Sequence, residues 1–472
     1  MSELLESLKR YADSDHLPMH MPGHKRRMGE MGNPFFIDLT EIDGFDELHH
    51  AKGLLKRAQQ RAADIYHAEE THYLVNGSTG GILAAVSGCT TFGGTLLMAR
   101  NCHKSVYHGA LLRGLNVKYL YPQSTGKWGI NGEILPADVD NILKQEPDIE
   151  AVLITSPTYD GVVSDVRKIA EIAHAYGVPL LVDAAHGAHF PFSDCFPEDA
   201  TIAGADLVIH SLHKTLPALT QTALLHLNGN LIDRERVRDY LRICQTSSPS
   251  YVLMASMDQC MEWAAGHRDA FESFCERLRG LREGLHECQK LKLIEVPGMD
   301  ITKVLISVQG LSVSGQQLAQ ILRREYQIEV EMACSSYVCA MTTVADQEED
   351  LHRLLTALLK IDQKLVRMQT GSDSSLYRMD AVLPAKSVFT FLEAEKKDRE
   401  RCLLTEANGR ISGDFVMLYP PGIPLLAPGE EISGEMIARI GQYQRDGLEL
   451  QGICENSLKV LKRERAWERY FV

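Results

Sequence analysis

Between about residues 70 and 230, short β-rich apolar runs alternate with longer segments of helical period, and no other feature of the 472-residue chain restricts its fold as strongly. The runs are TLLMAR (95–100), AVLIT (from 151), PLLVDAA (from 179), DLVIHS (from 206) and TALLHL (from 222). Strands that are apolar along their whole length must be covered on both faces, which is the environment of a largely parallel sheet built from crossover units. VRKIAEIAHAYG (166–177) supplies one crossover: helical period, a closing glycine and then a proline. A large α/β domain is therefore expected over about 51–290, behind an N-terminal arm of 1–50.

A chain of this length exceeds one compact core, so smaller domains should follow. After a long charged helical stretch (255–290), the pattern becomes a strand TKVLISV, a helix opened by Ser314 with Gln317 in capping-box position, and strands around QIEVEM and YVCAMTT. This reads as a small α+β domain at 291–368. A polar linker, QTGSDSS (369–375), then precedes a C-terminal α+β domain at 376–472. Within it the prolines and glycines of YPPGIPLLAPGE (419–430) argue against regular structure.

The charge balance, 49 basic against 63 acidic side chains for a net −14, includes no basic block long enough to track phosphates, so nucleic acid is not an expected partner. The N-terminus MSELLESLKRYADSD has no apolar signal core, and no run approaches the roughly 18 apolar residues of a spanning helix. A cytoplasmic protein without a membrane partner is expected. Eleven cysteines without a CxxC, the nearest pair being Cys334 and Cys339, read as reduced thiols.

Four local features carry chemistry. Asn76-Gly77-Ser78-Thr79-Gly80-Gly81 opens a helix, leaving backbone N–H groups and the hydroxyls of Ser78 and Thr79 for a phosphate; a plain turn before a buried helix explains it equally well. Asp183 ends the apolar strand of PLLVDAAHGAH, where a carboxylate is costly unless it meets a cation or strong donor such as a protonated pyridine nitrogen. Ser211-Leu212-His213-Lys214 follows the strand DLVIHS, and a desolvated lysine there loses its proton readily and condenses with an aldehyde. Singly, Lys214 would be a solvated loop lysine. An acid and a lysine on successive strand ends are far more specific, and together they point to pyridoxal 5'-phosphate (PLP). The fourth feature is His103 in ARNCHKSVYHG, an imidazole that either stacks on the pyridine ring or caps a helix. A competing metal reading rests on two HxxH pairs, His186 with His189 and His210 with His213, but neither has the helical spacing of HExxH. Gly126-Lys127 lacks the glycine of a phosphate-binding loop, and no GxGxxG is present.

With these residues in place, the chain resembles the Orn/Lys/Arg decarboxylases of PLP fold type I, in their short form. The similarity runs over MPGHK (21–25), DLTEIDGFDELH (38–49), NGST (76–79), RNCHKSVYHG (100–109), TSPTYDG (155–161), VDAAHGAHF (182–190), SLHKTLPALTQTALLH (211–226) and YPPGIPLLAPGE (419–430). The resemblance implies that Lys214 holds the cofactor aldehyde, that Asp183 pairs with the pyridine nitrogen and that His103 stacks on the ring. It also implies that Ser78, Thr79, Ser211 and His213 hold the phosphate, with His186 near the phenolic oxygen. It further implies that the N-terminal oligomerisation domain of the larger members is absent. A homodimer with its active site at the interface is then expected, TSSPSY (246–251) contributing from the neighbouring subunit. Two departures are Ala184 where relatives often carry Glu, and Arg26-Arg27 after MPGHK where glycine is frequent.

The implied reaction is decarboxylation of a basic amino acid, with Lys214 or a nearby histidine reprotonating the carbon. Glu331 in IEVEM is the candidate for the substrate's distal cation, against a plain strand glutamate, and Lys25 belongs either to an arm near the site or to the charged surface. Transamination or aldol cleavage would use the same Lys214 and Asp183. A non-catalytic protein on this fold would be expected to have lost one of Lys214, Asp183 and His103.

Overall fold

The computed structural model describes residues 3–27, 32–367, 382–419 and 422–463; the linker expected at 369–375 lies outside them. Seven strands, β1 (Glu70–Leu74), β2 (Thr95–Ala99), β3 (Asn116–Leu120), β4 (Ile149–Thr155), β5 (Leu180–Asp183), β6 (Leu207–His210) and β7 (Ala223–Leu227), form one sheet in the order β1-β7-β6-β5-β4-β2-β3. β7 alone runs against its neighbours, pairing antiparallel with β1 and β6, while every other pairing is parallel. The five apolar runs are β2, β4, β5, β6 and β7, and the last three are buried at every residue. The strands that no apolar run announced, ETHYL and NVKYL, are the two edges, where half-exposed residues can be polar.

Parallel pairing decides where the chemistry goes. Thr155 stands opposite Asp183, and Asp183 opposite Ile209, so β4, β5 and β6 end at one level. The connections leaving a parallel sheet at its carboxyl ends form the crevice where ligands bind in such folds. Crossover helices cover the faces, among them Gly77–Cys89 after β1, Lys104–Arg113 after β2 and Val166–Ala175 after β4.

The second unit is a four-stranded antiparallel sheet of Met332–Ala333, Tyr337–Met341, Lys303–Ser307 and Lys292–Leu293. Both bonds of the Ser314–Gln317 capping box are made at the head of the helix Gly315–Tyr326. The N-terminal arm is stitched to this unit: Leu17–Met19 pairs in parallel with Ile328–Val330. Local patterning cannot reveal a pairing between segments so far apart in the chain.

Two expectations need correction. YPPGIPLLAPGE is not irregular throughout, because Val416–Tyr419 pairs antiparallel with Ile423–Leu426. Pro424 is tolerated because its strand is the edge of the three-stranded sheet, where a missing N–H removes no ladder bond. The cysteines are not all free thiols. Cys195 and Cys275 are joined in a disulfide with Cα atoms 6.6 Å apart, a link between positions 80 residues distant that spacing does not betray.

Arg100, just past β2, ties the C-terminal unit to the central sheet. It is 1% exposed, and its guanidinium donates to Tyr107 Oη (2.7 Å) and to the carbonyls of Pro424 (2.7 Å) and Leu425 (3.0 Å). Glu430, equally buried, neutralises it at 3.2 Å. A guanidinium in a dry interior is tolerable only with such a partner, so Glu430→Ala should cost about 3–5 kcal/mol of stability. The expected readout is an earlier denaturant midpoint by circular dichroism, together with faster proteolytic release of the C-terminal segment.

Candidate active site

At the carboxyl ends of β4, β5 and β6 lies a cavity of about 500 Å³. Nine of the ten residues singled out from the sequence line it: Ser78, Thr79, His103, Asp183, His186, Ser211, His213, Lys214 and Glu331. They arrive from the end of β5 and the loop after it, the helix starts after β1, β2 and β6, and the small sheet.

Lys214 sits in the one-turn helix Leu212–Thr215 that follows β6, with Nζ 3.0 Å from His186 Nε2. Burial pulls its amine down to about 8, with nearby Lys303 adding to that and Asp183 and Glu331 opposing it. At pH 7 about a tenth of the side chain is therefore nucleophilic amine, far more than for an exposed lysine. Asp183, 4% exposed, accepts from the Ala185 amide through Oδ1 (3.1 Å), and among the described residues no donor reaches Oδ2. Burial raises its pKa, while Lys214, the Ala185 amide and His210 favour the charged form. A carboxylate held this way in a cavity wall calls for a cationic or N–H partner.

His103 caps a helix, the second of its two readings, and also lines the cavity. Its Nδ1 accepts from the Ser105 amide at the head of the helix Lys104–Arg113, while the ring faces the cavity. Burial, reinforced by Lys214, Lys104 and His108, pushes its pKa down to about 3, so the imidazole is neutral. The Ser78 and Ser211 hydroxyls are 2.6 Å apart, at the start of the helix Gly77–Cys89, whose first turn has no side-chain cap among the described residues. His213 Nδ1 donates to the Thr222 carbonyl (2.9 Å), and burial lowers this histidine to about 4, so a neighbouring anion is needed to hold a second proton on its Nε2. A free carboxylate oxygen, a poised amine and a hydroxyl-lined helix start are the donor set that a ring N–H, an aldehyde and a phosphate require, and PLP fits it.

Glu331 reaches the cavity from between Ile328–Val330 and Met332–Ala333, accepting from Tyr159 Oη (2.7 Å) and from the Met21 amide (2.9 Å). Beside it in the wall is Asp160, a second acid that sequence reasoning did not select. It accepts from Tyr337 Oη (2.6 Å), and burial raises it to about 6. Both Tyr159 and Asp160 lie inside the TSPTYDG motif, which was the only signal available. The C-terminal strands close the cavity with Leu418, Tyr419, Ile423 and Pro424, and the Gly422 carbonyl accepts from the Lys104 amide (3.0 Å) next to His103.

Lys25 is the exception and is neither surface charge nor cavity wall. It is 2% exposed, with Nζ donating to the carbonyls of Pro18 (2.8 Å), His20 (3.0 Å) and Met341 (2.7 Å) and lying 3.8 Å from Asp346. The residue of MPGHK that touches the Lys214 turn is Gly23. Its amide donates to the His213 carbonyl (2.7 Å), and a Cβ there would lie 2.6 Å from the Leu216 carbonyl oxygen. Nor do the HxxH pairs converge: His189 turns to Asp300 and His210 to Asp199, each at least 3.1 Å away, while His186 and His213 keep the partners given above. TSSPSY does not line this cavity within its own chain; Ser250 caps the helix Tyr251–Gly266, and Tyr251 Oη bonds the Asp46 carbonyl.

Residues 2–302 match the model of the Orn/Lys/Arg decarboxylase major domain, and residues 374–445 that of the Orn/Lys/Arg decarboxylase C-terminal domain. An arginine decarboxylase of Bacillus subtilis is 33% identical over 98% of both chains, and one of Bacillus anthracis is 32% identical over 97% of this chain and 96% of its own. Among solved structures, the lysine decarboxylase of Francisella novicida superposes with a TM-score of 0.78 at 19% identity, covering 97% of this chain and 81% of its own. Among the described residues no helix is long and apolar enough to cross a membrane. By motif order, sheet topology and near full-length similarity, the chain belongs to the Orn/Lys/Arg decarboxylase family.

Proposed function

We propose that this chain, with PLP as cofactor, removes the α-carboxylate of a basic amino acid, arginine before lysine or ornithine, to give carbon dioxide and agmatine, cadaverine or putrescine. The observation that carries the reading is that Lys214 and Asp183 share one cavity with a pair of acids, Glu331 and Asp160. Arginine is placed first because the arginine decarboxylases of two Bacillus species resemble this chain over nearly its whole length.

PLP, when bound, supplies the electron sink that makes loss of the carboxylate feasible. The chain supplies the rest. Asp183 keeps a proton on its partner nitrogen, and the Lys214 amine provides the nucleophile that anchors the aldehyde. Ser78, Thr79, Ser211 and His213 take the phosphate, and His103 lies against the ring. Lys214 or His186 returns a proton to the substrate carbon. Glu331 and Asp160 receive the distal cation, and the wall formed by Tyr419 and Ile423 holds water away. A homodimer, a cytoplasmic location and a role in polyamine biosynthesis belong to the same reading; the arm exposes Phe35 (84%) and Phe36 (85%), surface that a second copy would cover.

Purified protein loaded with PLP should release carbon dioxide from arginine, and Lys214→Ala should lower the rate by about a thousandfold or more. A keto acid in place of carbon dioxide would reassign the reaction to transamination. Glu331→Gln should cut the preference for arginine over a neutral amino acid about 10- to 100-fold in kcat/KM, as expected for loss of a charge-assisted hydrogen bond; an unchanged preference would move cation reading elsewhere. Because the depressed Lys214 pKa near 8 leaves less free amine at lower pH, uptake of PLP by cofactor-free protein should slow about tenfold per pH unit below 8 and level off above it, followed by absorbance after mixing.

A further inference from the structure

Lys303 heads the small-sheet strand Lys303–Ser307, is 0% exposed and does not line the cavity. Its Nζ reaches His186 Nδ1 at 3.0 Å, while the other nitrogen of that imidazole is 3.0 Å from Lys214 Nζ. One histidine thus bridges two lysines, one buried in the small sheet and one in the cavity. Among the described residues Lys303 Nζ has no other hydrogen-bond partner. With Lys303 as the ammonium, which has protons to donate and no lone pair, Nδ1 is the acceptor and the single proton of the neutral ring sits on Nε2. That proton points at Lys214 Nζ, which can receive it only as a neutral amine.

The course of the lysine stem is a second, independent observation. Gly161, in the turn after β4, has φ +93°, and a Cβ there would lie 2.7 Å from Lys303 Cγ and 3.1 Å from its Cβ. The same glycine's carbonyl accepts from the Asp300 amide at 2.8 Å. The turn is left bare where the stem passes, and the two units are buttoned together at that point. Tyr159 holds the His186 ring edge-on at 5.1 Å.

We infer that Lys303 is a positioning residue for the reaction proposed above: by donating to Nδ1 it fixes His186 as an Nε2–H donor and so favours the neutral, nucleophilic form of the Lys214 amine. The surrounding charges agree. Burial lowers the Lys303 pKa, and Asp300, Glu331 and Asp160, which face it beside the neutral Cys339 thiol, oppose that and favour the cation. Burial and the Lys303 cation exclude a second proton from the ring of His186, which Lys214 and the neutral imidazoles of His213 and His103 also face. Asp183 and Glu331 face Lys214 from the other side.

The test uses cofactor-free full-length protein, so it is read independently of whether carbon dioxide is ever released. Lys214 is titrated by competitive acetylation with acetic anhydride, its peptide followed by mass spectrometry. In Lys303→Met, which keeps the stem and removes the donor, His186 is free to turn and accept from a protonated Lys214. The midpoint of Lys214 reactivity should rise by about one pH unit, leaving about tenfold less free amine below it. A folded variant with an unmoved midpoint overturns the inference. The wild-type protein gives a second measurement that does not depend on the variant folding: ¹⁵N NMR of labelled histidines, with His186→Gln for assignment, should show Nδ1 unprotonated and Nε2 protonated, and the reverse tautomer overturns the inference as well.

Discussion

Parallel, in-register pairing of β4, β5 and β6 sets Thr155, Asp183 and Ile209 side by side, and everything chemical in the molecule is arranged from that line. Asp183 is the last residue of its strand. The Lys214 turn begins one residue after the end of β6, and Tyr159 and Asp160 sit in the loop leaving β4. The strand ends bring the two halves of an acid–lysine site together while both remain under a fully buried sheet. Desolvation follows from that position, and desolvation is what brings an ordinary ammonium near neutrality.

The chain places three lysines around this line and treats each differently. Lys25 spends its protons on three backbone carbonyls and is purely a fastener of the arm. Lys303 has one imidazole as hydrogen-bond partner and lies among Asp300, Asp160 and Glu331. Lys214 has the same imidazole and a more distant Asp183, and it alone faces the cavity. A buried cation is tolerated in proportion to the acceptors and negative charges around it, and of the three only Lys214 meets open space. Arg100, just past β2, follows the same rule. Its four acceptors include two carbonyls of the C-terminal segment, so solvating the guanidinium also seats the wall beside His103.

Much of this was legible beforehand. Uninterrupted apolar runs marked the five inner strands, because a strand covered on both faces has no polar side to show. The two edges escaped notice because ETHYL and NVKYL carry the polar residues that edges permit. The Ser314 capping box was readable because its bonds are local. The Pro424 strand was not, since tolerance of proline depends on having a neighbour on one side only, which is a fact of sheet order.

The sequence by itself determined the central fold and the order of its chemical residues: a helix start of small and hydroxyl residues, a histidine, an acid at one strand end and a lysine after the next. It could do so because periodicity, capping and strand-end placement are properties of neighbouring residues. Only the tertiary structure decided that MPGHK touches the Lys214 turn through Gly23 and not Lys25. It alone decided that Asp160 joins Glu331, that Cys195 meets Cys275, and that Lys303 stands behind His186. Each of these joins segments far apart in the chain, and which of many chemically similar side chains meet is settled by packing, where a bare Cα at Gly161 or Gly23 admits one neighbour and excludes the alternatives.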